Sequence, residues 1–198
     1  MKCYVTNNSP YARKVRVVAF EAGLYDEVEW TTITREERGD INNFNPLGKV
    51  PVAVLGTGDI VCDSPVICAY LDSLTSSIDL IPKSEPERWQ TLTLEALGDG
   101  LGDTVIVISQ EKQRPSEKYS QEIVERQTAK IKSTLSVLDS AAIDFNDPPL
   151  LGEIAVACAM GYMEFRDIVP EWSETYVNLA KWYDNILKRV SFRKTAPE

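Results

Sequence analysis

Apolar and polar positions follow a short period at the start of the chain and a helical period over the rest. Lys2 to Thr6 reads as a strand that stops at polar Asn7-Asn8-Ser9. Pro10 suits the first turn of a helix, where its missing N–H costs nothing, and Ser9 suits the N-cap. Tyr11, Val15, Val18 and Ala22 then fall on one face, with Gly23 as the stop. Val28 to Ile33 alternates as a second strand, Thr34 to Phe44 reads as a charged loop with one short helix, and Val52 to Leu55 is a third strand. Gly56-Thr57-Gly58-Asp59 turns the chain into Ile60-Val61-Cys62. Asp63 then caps a helix with Pro65 in its first turn and Val66 to Leu74 as its body. This order predicts an α/β unit of mixed strand direction.

Beyond residue 75 the pattern changes. Thr75 to Lys83 lacks a period and marks a boundary, so we expect an α/β domain over residues 1–78 and an all-helical domain over 84–198. Ser84-Glu85-Pro86-Glu87 has the spacing of a capping box. Trp89, Leu92 and Ala96 share one helical face, and Val124, Thr128, Ile131, Leu135 and Leu138 share another. From Ile154 the chain is apolar on all sides, which predicts a helix in the middle of the second domain; a last helix runs from Val177 to about Arg189.

Three places depart from a plain pattern. Pro51 opens a strand where a ladder N–H would normally stand; this means either an edge strand or a cis peptide that turns the Val50 backbone toward a ligand. Ser9 lies at the positive end of a helix, either as a simple cap or as a hydroxyl serving an anion. Gly98, Gly100 and Gly102 interrupt a helical stretch without the lysine or preceding strand of a phosphate loop. They are better read as a close helix approach, for which a dimer axis is one place. Asp99 and Asp103, one turn apart, offer a metal pair or, more simply, solvated charges.

Composition narrows the chemistry. Lys and Arg number 21 against 30 Asp and Glu, for a net charge of −9. With no basic run, nucleic acid is not an expected partner. The 198 residues include no histidine and 4 cysteines without a Cys-x-x-Cys pair, which removes histidine-based relays and most zinc sites. No metal is expected. Cys3 and Cys68 read as small core residues. The start of the chain has no signal-peptide core, and the run from Ile154 to Met163 is shorter than the roughly 20 residues that span a bilayer. A cytoplasmic protein without membrane contact is expected.

Taken together, Ser9-Pro10-Tyr11-Ala12-Arg13-Lys14-Val15-Arg16, Asn45-Pro46-Leu47-Gly48-Lys49-Val50-Pro51 and Asp63-Ser64-Pro65-Val66-Ile67 resemble the glutathione S-transferase superfamily, in particular its bacterial cytosolic, serine-type members. Asp99-Gly100, Asp103, Ile154 to Ala159, Gly161-Tyr162, Phe165-Arg166, Trp182 and Ser191-Phe192 extend the resemblance over nearly the whole chain. It implies a thioredoxin-like N-terminal domain, an all-helical C-terminal domain and a homodimer. By the same resemblance, Val50 before a cis Pro51 pairs its backbone with the cysteinyl amide of glutathione, and Lys49 meets the glycyl carboxylate. Asp63 takes the γ-glutamyl ammonium, and Ser64 takes its carboxylate through hydroxyl and N–H. Ser9 donates to the sulfur and so favours the thiolate.

The implied reaction is attack of that thiolate on a small hydrophobic electrophile, the detoxification chemistry of the family. Tyr11, Asp103, Val107 and Tyr162 are the expected borders of the acceptor pocket. An isomerase or peroxidase reaction starts from the same thiolate, and a binding protein without turnover would keep the same cleft. Serine at position 9 cannot form a mixed disulfide, which argues against glutaredoxin-like chemistry. The chain departs from the family where Leu150 precedes Glu153: the expected hydroxyl cap of the next helix is missing.

Overall fold

The computed structural model describes residues 1–34, 37–76 and 78–197. Arg35 and Glu36 in the expected loop, Ser77 in the expected boundary segment and the terminal Glu198 lie outside the described residues.

Four strands form one sheet in the order β2-β1-β3-β4: β1 (Lys2–Val5), β2 (Glu29–Thr32), β3 (Val52–Val54) and β4 (Ile60–Val61). β1 pairs parallel with β2, Cys3 opposite Trp30, and antiparallel with β3, Cys3 opposite Ala53. β3 and β4 form the antiparallel hairpin that the Gly-Thr-Gly-Asp turn requires. The parallel pair needs a crossover, and α1 (Pro10–Glu21) supplies it. α2 (Ser64–Ser73) follows the hairpin. Val15, Val17 and Val18 of α1 and Ile67, Cys68 and Leu71 of α2 are fully buried in one core with Cys3, Val5 and Ala53 of the sheet.

The rest of the chain is helical: α3 (Glu87–Glu111), α4 (Gln121–Ala141), α5 (Leu151–Phe165), α6 (Trp172–Thr175), α7 (Val177–Ile186) and α8 (Val190–Lys194). Every residue of α5 from Leu151 to Met163 is buried, as its unbroken apolar run requires. α5 packs along α3, and two glycines set their separation. A Cβ at Gly98 would meet the Val156 nitrogen at 2.6 Å, and one at Gly152 would meet the Thr91 carbonyl at 2.7 Å. The close approach expected around Gly98 is therefore made within the chain, against α5, and needs no dimer axis.

Three local expectations are corrected, and a fourth, the missing hydroxyl cap at Leu150, holds. The capping box at Ser84 does not form: α3 begins after Pro86, and the Ser84 hydroxyl donates to the Glu87 carboxylate at 2.9 Å instead of receiving a backbone N–H. Trp89 and Ala96 lie on the exposed face of α3, whereas Thr91, Glu95, Gly98, Leu101 and Val105 are buried, because the side that packs on α5 is the one with small residues. α7 ends at Ile186, burying Leu179, Tyr183 and Ile186, and the short α8 follows it. Last, Glu153 compensates for Leu150. Its carboxylate accepts from the Leu150 N–H at 3.1 Å and from the Asn146 side-chain amide at 2.8 Å, holding the start of α5 without a hydroxyl cap.

Candidate functional site

The chemistry-bearing residues stand at the starts of α1 and α2 and in the loop before β3. At α1, Ser9 adopts an extended backbone and its Oγ accepts from the Ala12 N–H at 3.2 Å. A hydroxyl carries one proton besides its acceptor lone pairs. Capping therefore leaves the half-buried Ser9 hydroxyl free to donate its proton outward. The two readings of Ser9 are compatible.

The loop before β3 is built by Asn45, which is 4 % exposed. Its Nδ2 donates to the Lys49 carbonyl at 3.0 Å, and its Oδ1 accepts from the Leu47 N–H at 3.0 Å. Gly48 supplies the left-handed backbone at φ +60°, a conformation that disfavours side chains. Next come Lys49, exposed, and the half-buried Val50, whose side chain packs against Ile33, Ile41 and Val52. The Val50–Pro51 peptide bond is cis. Ladder pairing with β1 begins only at Val52, opposite Tyr4. Among the described residues the Val50 N–H and C=O have no backbone partner.

At α2, the exposed Asp63 caps the helix and its carboxylate accepts from the Ser64 N–H. Ser64 is 1 % exposed, and among the described residues its Oγ has no hydrogen-bond partner. A buried hydroxyl without a partner costs roughly 1–3 kcal/mol in a folded protein. It marks a place where the fold leaves a polar group for something else.

α3 closes the other side. The Tyr11 hydroxyl donates to the Asp103 carboxylate and lies 3.4 Å from the Asp99 carbonyl oxygen. Burial first, then the Asp103, Asp99 and Asp63 charges, push the phenol pKa up, so Tyr11 stays a hydrogen-bond donor. The Asp63 charge also acts on Tyr11 and Asp99, raising both pKa values. Of the four residues expected around the acceptor pocket, contacts join Tyr11 and Asp103. Val107 is exposed one turn further along α3, and Tyr162 is buried in α5 with the Arg166 guanidinium 5.0 Å from its ring centroid.

Sequence reasoning missed what lies beneath. Lys14, 1 % exposed, donates to Glu95 at 2.9 Å and to both Asp99 oxygens at 2.8 and 2.7 Å. Asp99 is thus held by Lys14, which corrects its reading as a solvated charge, whereas Asp103 is exposed as expected and accepts from Tyr11. Burial alone would lower the Lys14 pKa; neighbouring Cys68, Asp99 and Glu95 oppose it and raise it. Burial raises the Cys68 thiol as well, so it is neutral at ordinary pH and the carboxylates keep Lys14 charged. Burial pushes Cys3 up to about 12 and Cys158 to about 11, which makes both inert core thiols. Lys14 stands between apolar Ala12 and Val15, a position whose burial gives the only local sign of a partner.

A four-stranded sheet with βαβ and hairpin halves and a helical region packed on it define a thioredoxin-like domain joined to a mostly helical C-terminal region. The sequence signature of the glutathione S-transferase N-terminal domain matches residues 8–74. An uncharacterized GST-like protein of Escherichia coli K12, YibF, is 34% identical over 200 residues, spanning 100% of this chain and 98% of its own. A glutathione transferase family member from Pseudomonas fluorescens Pf-5, solved with bound glutathione, superposes with a TM-score of 0.94 at 35% identity, covering 100% of this chain and 98% of that one. A glutathione S-transferase from Methylobacillus flagellatus KT with glutathione bound gives 0.94 at 36% identity over 100% and 99% of the two chains. The protein belongs to the glutathione S-transferase superfamily. Among the described residues no helix is long and apolar enough to cross a membrane.

Proposed function

We propose that the protein is a glutathione transferase that activates the thiol of glutathione for attack on a small hydrophobic electrophile. The observation that carries this reading is the buried, unpartnered Ser64 hydroxyl at the start of α2, next to the Asp63 carboxylate. A hydroxyl donor beside a carboxylate suits the two ends of an α-amino acid. In this reading the γ-glutamyl carboxylate takes the Ser64 hydroxyl and the helix start, while its ammonium takes Asp63. Asp63 occupies the Ser64 N–H, so the hydroxyl is the donor most open to the ligand. Val50 offers its free N–H and C=O to the cysteinyl unit as a further strand would. The exposed Lys49 ammonium faces the glycyl carboxylate. Both solved relatives named above hold glutathione, which supports the same ligand here.

Ser9 is then the group nearest the sulfur. It donates its hydroxyl proton to the thiolate, and the positive end of α1 adds to the effect. A free thiol titrates near 8.5, and a drop of about two units leaves most bound glutathione ionised at neutral pH. The thiolate then forms a carbon–sulfur bond with the electrophile, whose leaving group departs with the electron pair. No histidine takes part, since the chain has none. Tyr11 and Asp103, with Val107 and Tyr162 as further candidates, border the acceptor.

The protein works in this reading as a cytoplasmic homodimer built of an α/β domain over 1–78 and a helical domain over 84–198. Exposed Val66 on α2 and Trp89 and Leu97 on α3 support an apolar contact between copies. Light scattering tests it. Calorimetric titration with glutathione tests the ligand: saturable binding at millimolar concentration or below is expected, and none at all would defeat the proposal. Binding without conjugation of any electrophile would leave a binding protein in place of the enzyme.

A further inference from the structure

Arg13 lies one turn into α1 and is 5 % exposed, yet among the described residues no carboxylate pairs with it. Its Nη2 donates to the Phe192 carbonyl at 3.1 Å, its guanidinium carbon lies 5.5 Å from the Phe192 ring centroid, and among the described residues its Nε has no hydrogen-bond partner. A buried ion without its counter-charge costs several kcal/mol. The fold nonetheless makes room for it. A Cβ at Gly161 would come within 2.2 Å of Nη1, so the guanidinium fits only because α5 carries a glycine there. Glycine inside a helix costs about 1 kcal/mol relative to alanine.

The same arginine lines a cavity of about 460 Å³ between α1, α5, α7 and the end of the chain. Phe165, Leu187 and Phe192 give it apolar walls, and Arg193 adds a second cation. Glu164 also lines it, and its carboxylate accepts from the Tyr183 hydroxyl at 3.0 Å. Ser9, Val50, Asp63 and Ser64 are not among its walls. Among the described residues that line it, two guanidinium groups against one engaged carboxylate favour an anion over a cation. The apolar walls and the protein's net charge of −9 favour a singly charged, partly apolar one over a polyphosphate.

We propose that this cavity is a second ligand site, separate from the glutathione rim, for a small organic carboxylate with an apolar body. The carboxylate meets Arg13 and Arg193, and the body lies against Phe165 and Leu187. The volume lies within the range of small-molecule sites, roughly 300–1,000 Å³.

Benzoate titrated into the protein by calorimetry, with and without saturating glutathione, tests the proposal. A single saturable site unaffected by glutathione is expected. Arg13→Met should weaken it about tenfold or more, the scale of losing a charge-assisted bond. Arg193→Gln, at an exposed position that the fold does not depend on, should weaken it about threefold, as for a partly screened charge. If Arg13→Met does not fold, Arg193→Gln decides alone. The proposal is overturned by absence of saturable binding, by unchanged affinity in the variants, by displacement with glutathione, or by inorganic phosphate binding as tightly as benzoate.

Discussion

Two groups of buried polar atoms lie near the starts of α1 and α2, and the fold treats them in opposite ways. Under α1, the Lys14 ammonium is closed off by Glu95 and Asp99, each within 2.9 Å. At α2, the equally buried Ser64 hydroxyl meets nothing. The first arrangement holds α1 against α3, because its one ammonium is already met by two carboxylates. The second contributes nothing to holding the fold and is intelligible as half of a contact that a ligand completes. Burial with partners at Lys14 reads as structure, and burial without one at Ser64 is what the proposed ligand contact rests on.

The largest effect that breaks the comparison is expected at Lys14. Lys14→Met leaves two buried carboxylates without a cation and should lower stability by about 3–5 kcal/mol, read from urea unfolding. A loss under 1 kcal/mol would mean that water, not Lys14, satisfies Glu95 and Asp99. Ser64→Ala is the mirror case. Glutathione affinity should fall roughly tenfold, as expected for a lost charge-assisted bond, with the unfolding midpoint unchanged or slightly raised. A large drop in stability with intact affinity would reverse the assignment.

A third test uses acid. Arg189 and Ser191 hold Glu21, at the far end of α1, with bonds of 3.0, 2.7 and 2.5 Å. Burial alone would raise the Glu21 pKa; Arg189 and Ser191 outweigh it, so the folded value lies below the usual 4.5. Stability from this contact is present above that unfolded value and is lost as pH falls through the folded one. Glu21→Gln should remove about 1 kcal/mol near neutrality, discounted for partial exposure of Arg189, and flatten the acid limb of the unfolding curve. A parallel acid limb would place the titration elsewhere. The smallest change is expected for Tyr11→Phe, which loses one partly exposed bond to Asp103. Stability should move by about 0.5–1 kcal/mol, with altered KM for the electrophile and unaltered glutathione affinity. A shift in glutathione affinity would move Tyr11 to the other half of the site.

The sequence carried the rim because its signals are local. Ser9-Pro10 and Asp63-Ser64-Pro65 announce helix starts within three residues, and both helices begin there. α5 was legible because a run buried on every side needs no choice of face. The interior polar contacts were not, since Lys14 meets Glu95 and Asp99 81 and 85 residues further on, and no periodicity joins positions so far apart. The buried face of α3 was misassigned for a related reason. Trp89, Leu92 and Ala96 look like a core stripe, but the face turned to α5 is the one where glycines let the two helices approach, Gly98 on α3 against Val156 and Gly152 on α5 against Thr91. Asn45 escaped notice because its work, holding Leu47 and Lys49 with one side chain, is done by a residue type that turns commonly contain.

The central claim is that the rim binds glutathione with Ser9 at the sulfur. The most direct test is the ultraviolet absorbance of the thiolate in the protein–glutathione complex, titrated against pH for the native protein and for Ser9→Ala. The account predicts a bound thiol that ionises about one to two units below the free value of roughly 8.5, and a return toward that value in the variant. A bound thiol that titrates as free glutathione does, or a lowered value that Ser9→Ala leaves unchanged, would contradict it.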